Sequence, residues 1–369
     1  MKHCAQSYRH PLPRLTATAL LAWLLLALGE GASVQAACSI ERTSPGAGAP
    51  FSLHLGKECS EQEREAQAVS AVELLAVLNE GRGIDLVGVT VTGDLSLDQL
   101  SLRRAEAVAD LPPPIREAIR RQGLKEVRVI AGPMSIRDSV VRGKVGSQLK
   151  DGVVIAAGPV TMTGTKFERA VDFSQTAFAG PVDFSNAILL NEGFFIGSLF
   201  LRAATFEKTA FGTHTRFHKA QFLEAVTFHR AGFSGLAEFI QVSFEKAADF
   251  SRTYFKMGTG FSGSRFGGML DFSEALFERE AFFMFTVFEQ DAYFRRVTFR
   301  GETSFSDSEF KGLDDFSKTF FNTQPRFDRA KISGAPPKPG GLQDPRVLYV
   351  IAAALFAFTL LFVFVLRRR

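Results

Sequence analysis

Three observations predict an all-β solenoid. First, phenylalanine recurs in alternating steps of six and five. The ladder that opens at Phe167 visits 173, 178, 184, 189, 195 and so on to 327; 29 of its 30 positions are Phe, and Leu189 is the exception. Second, the residue two before a rung is usually small or β-branched, as in Ala220 before Phe222, Val226 before Phe228, Ala231 before Phe233, Ala237 before Phe239, Ala248 before Phe250 and Ala275 before Phe277. Third, the period matches no single element. A helix repeats apolar positions near 3.6 and a strand near 2. A unit of 11 in two unequal steps therefore belongs to a repeat architecture, in which each short segment turns one large residue inward on a wider coil.

The elements follow in order along the chain. Residues 1–36 read as a secretory signal peptide. Lys2, Arg9 and Arg14 precede an apolar run from Leu15 to Leu28, and Val34 and Ala36 stand where A-x-A cleavage needs small residues. Cys4 leaves with that leader, so Cys38 and Cys59 remain as a pair. In an oxidising compartment the two can form a disulfide, worth ~3 kcal/mol in the chain-entropy account; lipidation of Cys38 is the competing reading, opposed by Gln35 where a lipobox wants an aliphatic residue. Residues 37–83 form an N-terminal segment with a capping helix. Ser60 and Glu63 make a capping box, Val69, Val72, Leu75 and Ala76 an apolar stripe, and Gly81 the stop.

The solenoid itself is expected over 84–332. Leu86, Val91, Leu97 and Leu102 keep the five–six–five rhythm with aliphatic rungs, as do Ile130, Ile136 and Val141. An insert over 103–127 carries a short amphipathic helix around Ile115 to Arg121, entered through three prolines and ended by Gly123. A second insert, GSQLKDG, lies between Val145 and Val153. From Met162 to Ile332 the ladder runs without a gap, a rod of roughly 40 Å at the ~4.8 Å spacing of neighbouring strands. A Pro/Gly linker spans 333–346. The stretch from Val347 to Leu366 holds no charged residue and is long enough for one transmembrane helix. Arg367, Arg368 and Arg369 favour the cytoplasmic side, which places the body outside the cytoplasm.

The small residue two before a central Phe resembles the pentapeptide-repeat family. That resemblance implies a right-handed quadrilateral β-helix with four units per coil. The chain is similar to a Phe-rich variant in which every second unit is lengthened to six, so one coil takes two fives and two sixes. On this reading Phe167, Phe173, Phe178, Phe184, Phe206, Phe217, Phe222, Phe228, Phe233, Phe250, Phe272, Phe294 and Phe316 are core rungs, not ligand contacts. A closed coil this narrow has no room between the rings.

Net charge is +4, and several of the positive charges sit in the two terminal segments. Between Met162 and Ile332 there are 21 Asp plus Glu against 20 Lys plus Arg. Such a body has neither the basic stripe of a nucleic-acid binder nor the acidic surface of a nucleic-acid mimic. His214, His218 and His229 are the clustered histidines, but His218 and His229 lie half a coil apart, and Leu236 and Ile240 one coil on offer no ligand. Asp249 and Asp271 are one coil apart, with Asp315 two coils beyond. They are read as polar corners ahead of a carboxylate pair. No phosphate loop, nucleophile elbow or Cys/His metal spacing is present.

These observations lead to an expected function: a membrane-anchored, extracytoplasmic, non-catalytic scaffold or protein-binding surface of the cell envelope. No cofactor, metal or nucleic acid is expected. The expected partners are the membrane and an envelope protein; at the C-terminal end of the rod, either the linker prolines blunt the open edge or a second copy of the chain meets it. A topoisomerase-binding DNA mimic and a carbohydrate-binding or carbohydrate-active β-helix are the alternatives. The export signal opposes the first, and the near-absence of long loops after Met162 opposes the second.

Overall fold

A computed structural model describes residues 37–43, 48–104, 108, 111–147, 149, 152–334 and 336–337. The leader at 1–36 and the apolar segment at 347–366 lie outside the described residues, as does most of the linker. Among the described residues no helix is long and apolar enough to cross a membrane.

Four sheets of 12, 11, 9 and 10 strands make up the structure, an all-β solenoid of about 11 turns. Each turn gives one short strand to each of four faces, numbered here one to four in the order the chain meets them. Along a face the coil strands are parallel and in register at intervals of one full coil, as in Val182–Asp183 on Ala204–Thr205 and then Val226–Thr227; Ile40–Thr43 and Leu102–Arg104 add to sheet edges as antiparallel strands. Every side is an in–out–in triplet. Val182 and Phe184 point inward and Asp183 outward on face one; Ala187 and Leu189 point inward and Ile188 outward on face two.

The alternation of five and six is an alternation of corners. A triplet followed by two corner residues makes five, and a triplet followed by three makes six. The two-residue corners put their second residue in the left-handed region. This happens every 11 positions, through Gly164, Gln175, Asn186, Gly197, Lys208, Lys219, Arg230 and onward to Arg329. A hydrogen bond closes nearly all of these turns, for example Ala187 N–H to the Phe184 carbonyl at 2.9 Å; at the Gln241 corner Val242 N–H donates to Ser264 Oγ instead. Most of these residues are not glycine, and a side chain there carries strain of about 1 kcal/mol or more. Where the next residue is Thr, its hydroxyl often ties one coil to the coil before. Thr209 Oγ1 donates to the Phe184 carbonyl at 2.8 Å, and Thr253 Oγ1 to that of Phe228 at 3.0 Å.

Inside, the rungs form one ring column per face. Phe211 lies over Phe233 with centroids 4.6 Å apart and planes 2° from parallel; Phe195 lies over Phe217 at 4.7 Å and 3°. Rings from opposite faces meet edge to face, Phe217 on Phe228 at 5.5 Å and 88°. Offset stacking and edge contacts are the favoured aromatic geometries. Of the rungs named from the sequence, all are buried except three: Phe316 and Phe327 are half-buried because they stand in the last turn with little above them, and Leu102 is exposed because Leu102–Arg104 turns back to pair antiparallel with the Glu126–Ile130 strand instead of continuing the coil.

The solenoid begins earlier than Ile84. Phe51–Leu55 pairs in parallel with Ile84–Val87, and Val69–Ser70 with Val91–Thr92, so the first turn opens at Phe51. Its third and fourth sides are replaced by helix. The single capping helix expected from the sequence is two helices, α1 (Glu61–Ala66) and α2 (Ala71–Asn79). Ser60 and Glu63 do form a reciprocal capping box on α1, and Ser70 caps α2. The buried side of α2 is Ala71, Leu74, Leu75, Val77 and Leu78, while Val72 and Ala76 face solvent. Gly81 adopts φ +77° just beyond α2, and Arg82 N–H reaches back to the Val77 carbonyl at 3.3 Å. The insert helix is α3 (Pro113–Gln122), ended by left-handed Gly123; Ile115 and Ile119 bury against the outside of face four, on Val153, Ile155, Ala177 and Leu199.

The corner geometry makes two glycines behave oppositely. Gly263 sits at a left-handed corner with φ +70°, whereas Gly232 is an outward strand position with open space around it. Gly263→Val is expected to destabilise the fold by about 1–2 kcal/mol and Gly232→Val to change it by less than about 0.5 kcal/mol, read as shifts in the denaturant midpoint.

Candidate binding face

Face three carries an outward column of mixed charge and an aromatic ring. Its successive outward residues are Ser96, Gly146, Asp172, Phe194, Arg216 and Glu238, each in register with the next. At the corners, charged residues pair one coil apart, as in Arg252 and Arg296 on Glu274 or Arg300 on Glu278. Exposed pairs of that kind contribute little each.

In the middle of face three, three basic side chains converge on one carboxylate. Glu238 Oε2 lies 2.8 Å from Arg216 Nε, 2.7 Å from His214 Nε2 and 3.6 Å from His218 Nε2. Burial would raise the Glu238 carboxyl, but hydrogen bonds from Arg216 and His214 outweigh it and hold the group below the usual carboxylate range. For His218 burial dominates and lowers its pKa; the Glu238 charge opposes this, and Arg216 reinforces it. His218 is therefore neutral at pH 7, and its buried Nε2 has no hydrogen-bond partner among the described residues. Arg216 also stands over the Phe194 ring at 5.7 Å, and His214 meets that ring edge-on at 6.0 Å. The result is a small aromatic and cationic patch fixed by one half-buried anion.

One full coil beyond His214 and His218 the sequence offers no partner for either. The structure corrects this: the partner is Glu238, reached diagonally at separations of 24 and 20. His229 is elsewhere, on face one, with Nδ1 2.8 Å from Ser251 Oγ. Among the described residues no group of three or more His, Cys, Asp or Glu is arranged to hold a metal ion.

The aspartates have a local task. Asp249 and Asp271 do stack in register, yet each spends one oxygen on the corner that follows. Asp249 Oδ1 accepts from Ser251 N–H at 2.8 Å, Asp271 Oδ1 from Ser273 N–H at 2.7 Å, and Asp315 Oδ1 from Ser317 N–H at 2.9 Å. Asp172 and Asp183 do the same. The recurring Asp-Phe-Ser string is thus a corner-forming Asx turn around a core ring.

A second polar group sits on face one. His54 Nε2 is 3.2 Å from Ser52 Oγ and 3.0 Å from Asp85 Oδ2. The residue types are those of a hydrolytic triad, but both partners use the same ring nitrogen. A triad needs the base between nucleophile and acid, one on each nitrogen. Asp85 also accepts from Ser135 and Arg137, and these bonds with that of His54 overcome burial to hold its carboxyl low. The group binds neighbouring turns together. Cys38 and Cys59 are joined by a disulfide that fixes the start of the chain to the turn before α1.

Glu238 yields a pH test. Its pKa is depressed on folding, so its contribution is complete above the unfolded value and is lost as pH falls through the folded one. Glu238→Gln is expected to cost about 1–2 kcal/mol at pH 7. The gap between the two proteins should close below roughly pH 4, as followed by denaturant melts across pH.

Comparison with protein families, with curated proteins and with solved structures finds no match for this chain.

Proposed function

We infer that the chain is a Phe-rich pentapeptide-repeat protein that serves as a membrane-anchored, extracytoplasmic and non-catalytic scaffold of the cell envelope. The observation that carries this reading is the separation of inside from outside along the coil. Inward positions repeat almost without change, while outward positions on face three vary from turn to turn on a fixed lattice. Such a column holds side chains at set spacings and leaves their chemistry free, which suits a protein-binding surface. Each turn touches mainly its neighbours, so a partner can engage a few turns without disturbing the rest.

The location rests on the two ends of the sequence and on the Cys38–Cys59 bond, which fits an oxidising compartment. The apolar stretch 347–366 is the anchor in this proposal, with the rod outside. At the C-terminal end Phe316, Phe327 and Ile332 are only partly covered, and a second copy meeting them would cover these rings.

Fusions of a cytoplasm-active reporter after Ala37 and after Arg369 are expected to be silent and active respectively; the reverse pattern, or activity from both, would remove the envelope from the proposal. Reducing the disulfide in the purified protein is expected to lower stability by about 3 kcal/mol, measured as paired melts with and without reductant. Sedimentation of the detergent-solubilised protein should show a dimer that Phe316→Asp with Phe327→Asp converts to monomer. Crosslinking in intact cells then identifies the envelope partner.

A further inference from the structure

Four successive turns of face three place Phe194, Arg216, Glu238 and Gly260 in one outward column. The Arg216 guanidinium stands over the Phe194 ring and donates from Nε to Glu238 Oε2 at 2.8 Å. Its Nη1 and Nη2 have no hydrogen-bond partner among the described residues, and the side chain is 39% exposed. Two N–H-bearing groups are thus left for an acceptor from outside, in the planar fork that matches a carboxylate.

At neutral pH this fork is a weak anion site, because Glu238 cancels its charge. The two imidazoles beside it change that balance. His214 Nε2 lies 2.7 Å and His218 Nε2 3.6 Å from the same Glu238 oxygen. The buried His218 Nε2 has no hydrogen-bond partner among the described residues, so a proton there adds a donor facing the carboxylate. Histidine is the side chain whose ordinary charge change falls between pH 5 and 8. Burial delays the His218 proton to a lower pH than in an ordinary histidine, against the pull of Glu238. Glu238, whose own burial is outweighed by its hydrogen bonds from Arg216 and His214, keeps its charge over that range.

The neighbouring turns do not undo the change. Glu192 stands one coil before His214, and Lys219 follows His218 on its own corner, one charge of each sign. Leu236 and Ile240 of the turn after, and Ile196 of the turn before, bring none. Acidification therefore takes the group from zero toward +2. Two added charges about 5 Å from a bound carboxylate strengthen its attraction roughly tenfold in a water-like dielectric. The rim is apolar, with Phe194 half-buried and Leu236 45% exposed, which suits a protein surface better than a small hydrated ion.

We propose that face three holds an acid-gated site for an aspartate or glutamate side chain of a partner protein. Arg216 Nη1 and Nη2 take the carboxylate, and protonated His214 and His218 supply the charge that Glu238 otherwise cancels. The nature of the ligand rests on the reading of face three as a protein-binding surface.

The test is isothermal titration calorimetry on the full-length protein in detergent micelles at pH 5 and pH 7.5. The probes are a capped Gly-Asp-Asp-Gly peptide, its Gly-Asn-Asn-Gly counterpart and inorganic sulfate. The acidic peptide is expected to bind at least fivefold more tightly at pH 5. His214→Gln with His218→Gln is expected to bring the two affinities within twofold of each other. Glu238→Gln is expected to tighten binding at pH 7.5 at least threefold, a gain that loss of structure does not produce; thermal melts confirm that both variants are folded. Equal affinity at the two pH values overturns the proposal, as does the amide peptide or sulfate binding as tightly as the acidic peptide. A crosslinked envelope partner that binds equally at both pH values removes the acid gate and leaves the scaffold reading intact. The expected peptide binding by a chain whose reporter fusions lie in the cytoplasm does the reverse.

Discussion

The contact on which the structure depends is ring on ring across one turn of the coil. Most inward phenylalanines meet a counterpart one coil on at a centroid distance close to the spacing of neighbouring parallel strands, as in Phe228 over Phe250 at 4.7 Å. Backbone hydrogen bonding and aromatic stacking therefore ask for the same translation. Neither has to yield to the other, and a side chain that serves one serves both. Rings from opposite faces then close the centre edge to face, leaving the interior with no need for polar groups beyond the Thr and Ser hydroxyls that return to backbone carbonyls.

That agreement explains why so much of the fold is legible in the sequence. A core rung must be large, flat and in phase, so the ladder survives as an almost unbroken run of one residue type. The five–six beat records two corner types, one of two residues and one of three. Asp-Phe-Ser strings mark corners with an Asx turn. The first turn is less legible for a physical reason: two of its four sides are replaced by α2, so Phe51, Leu53 and Leu55 alternate like an ordinary strand and never reach the coil rhythm. In the same region a single apolar stripe merges a short strand and α2, because Val69 and Leu75 are both buried but on different elements.

The candidate sites are less legible still. Stacked partners are found in sequence by stepping one full coil, but His214 and His218 meet Glu238 on the diagonal, where long side chains reach beyond their own rung in either direction. Ser147 lies six beyond Val141, where the beat demands an apolar residue; the insert that follows interrupts the beat there, and its Leu149 packs on the core. The remaining outward chemistry has no period at all, since nothing in the packing constrains a side chain that points to water.

The coil repeat has a consequence for how such a chain can change length. A genetic duplication of one whole coil, cut anywhere in the unbroken ladder, adds one storey and leaves every other residue on its own wall. A duplication of half a coil also keeps the rungs in phase, because corner types repeat after half a turn, but it swings everything downstream to the opposite wall. Growth by half-storeys would therefore scramble a binding surface while leaving the core intact, and growth by whole storeys would move two sites apart along one wall in quantised steps.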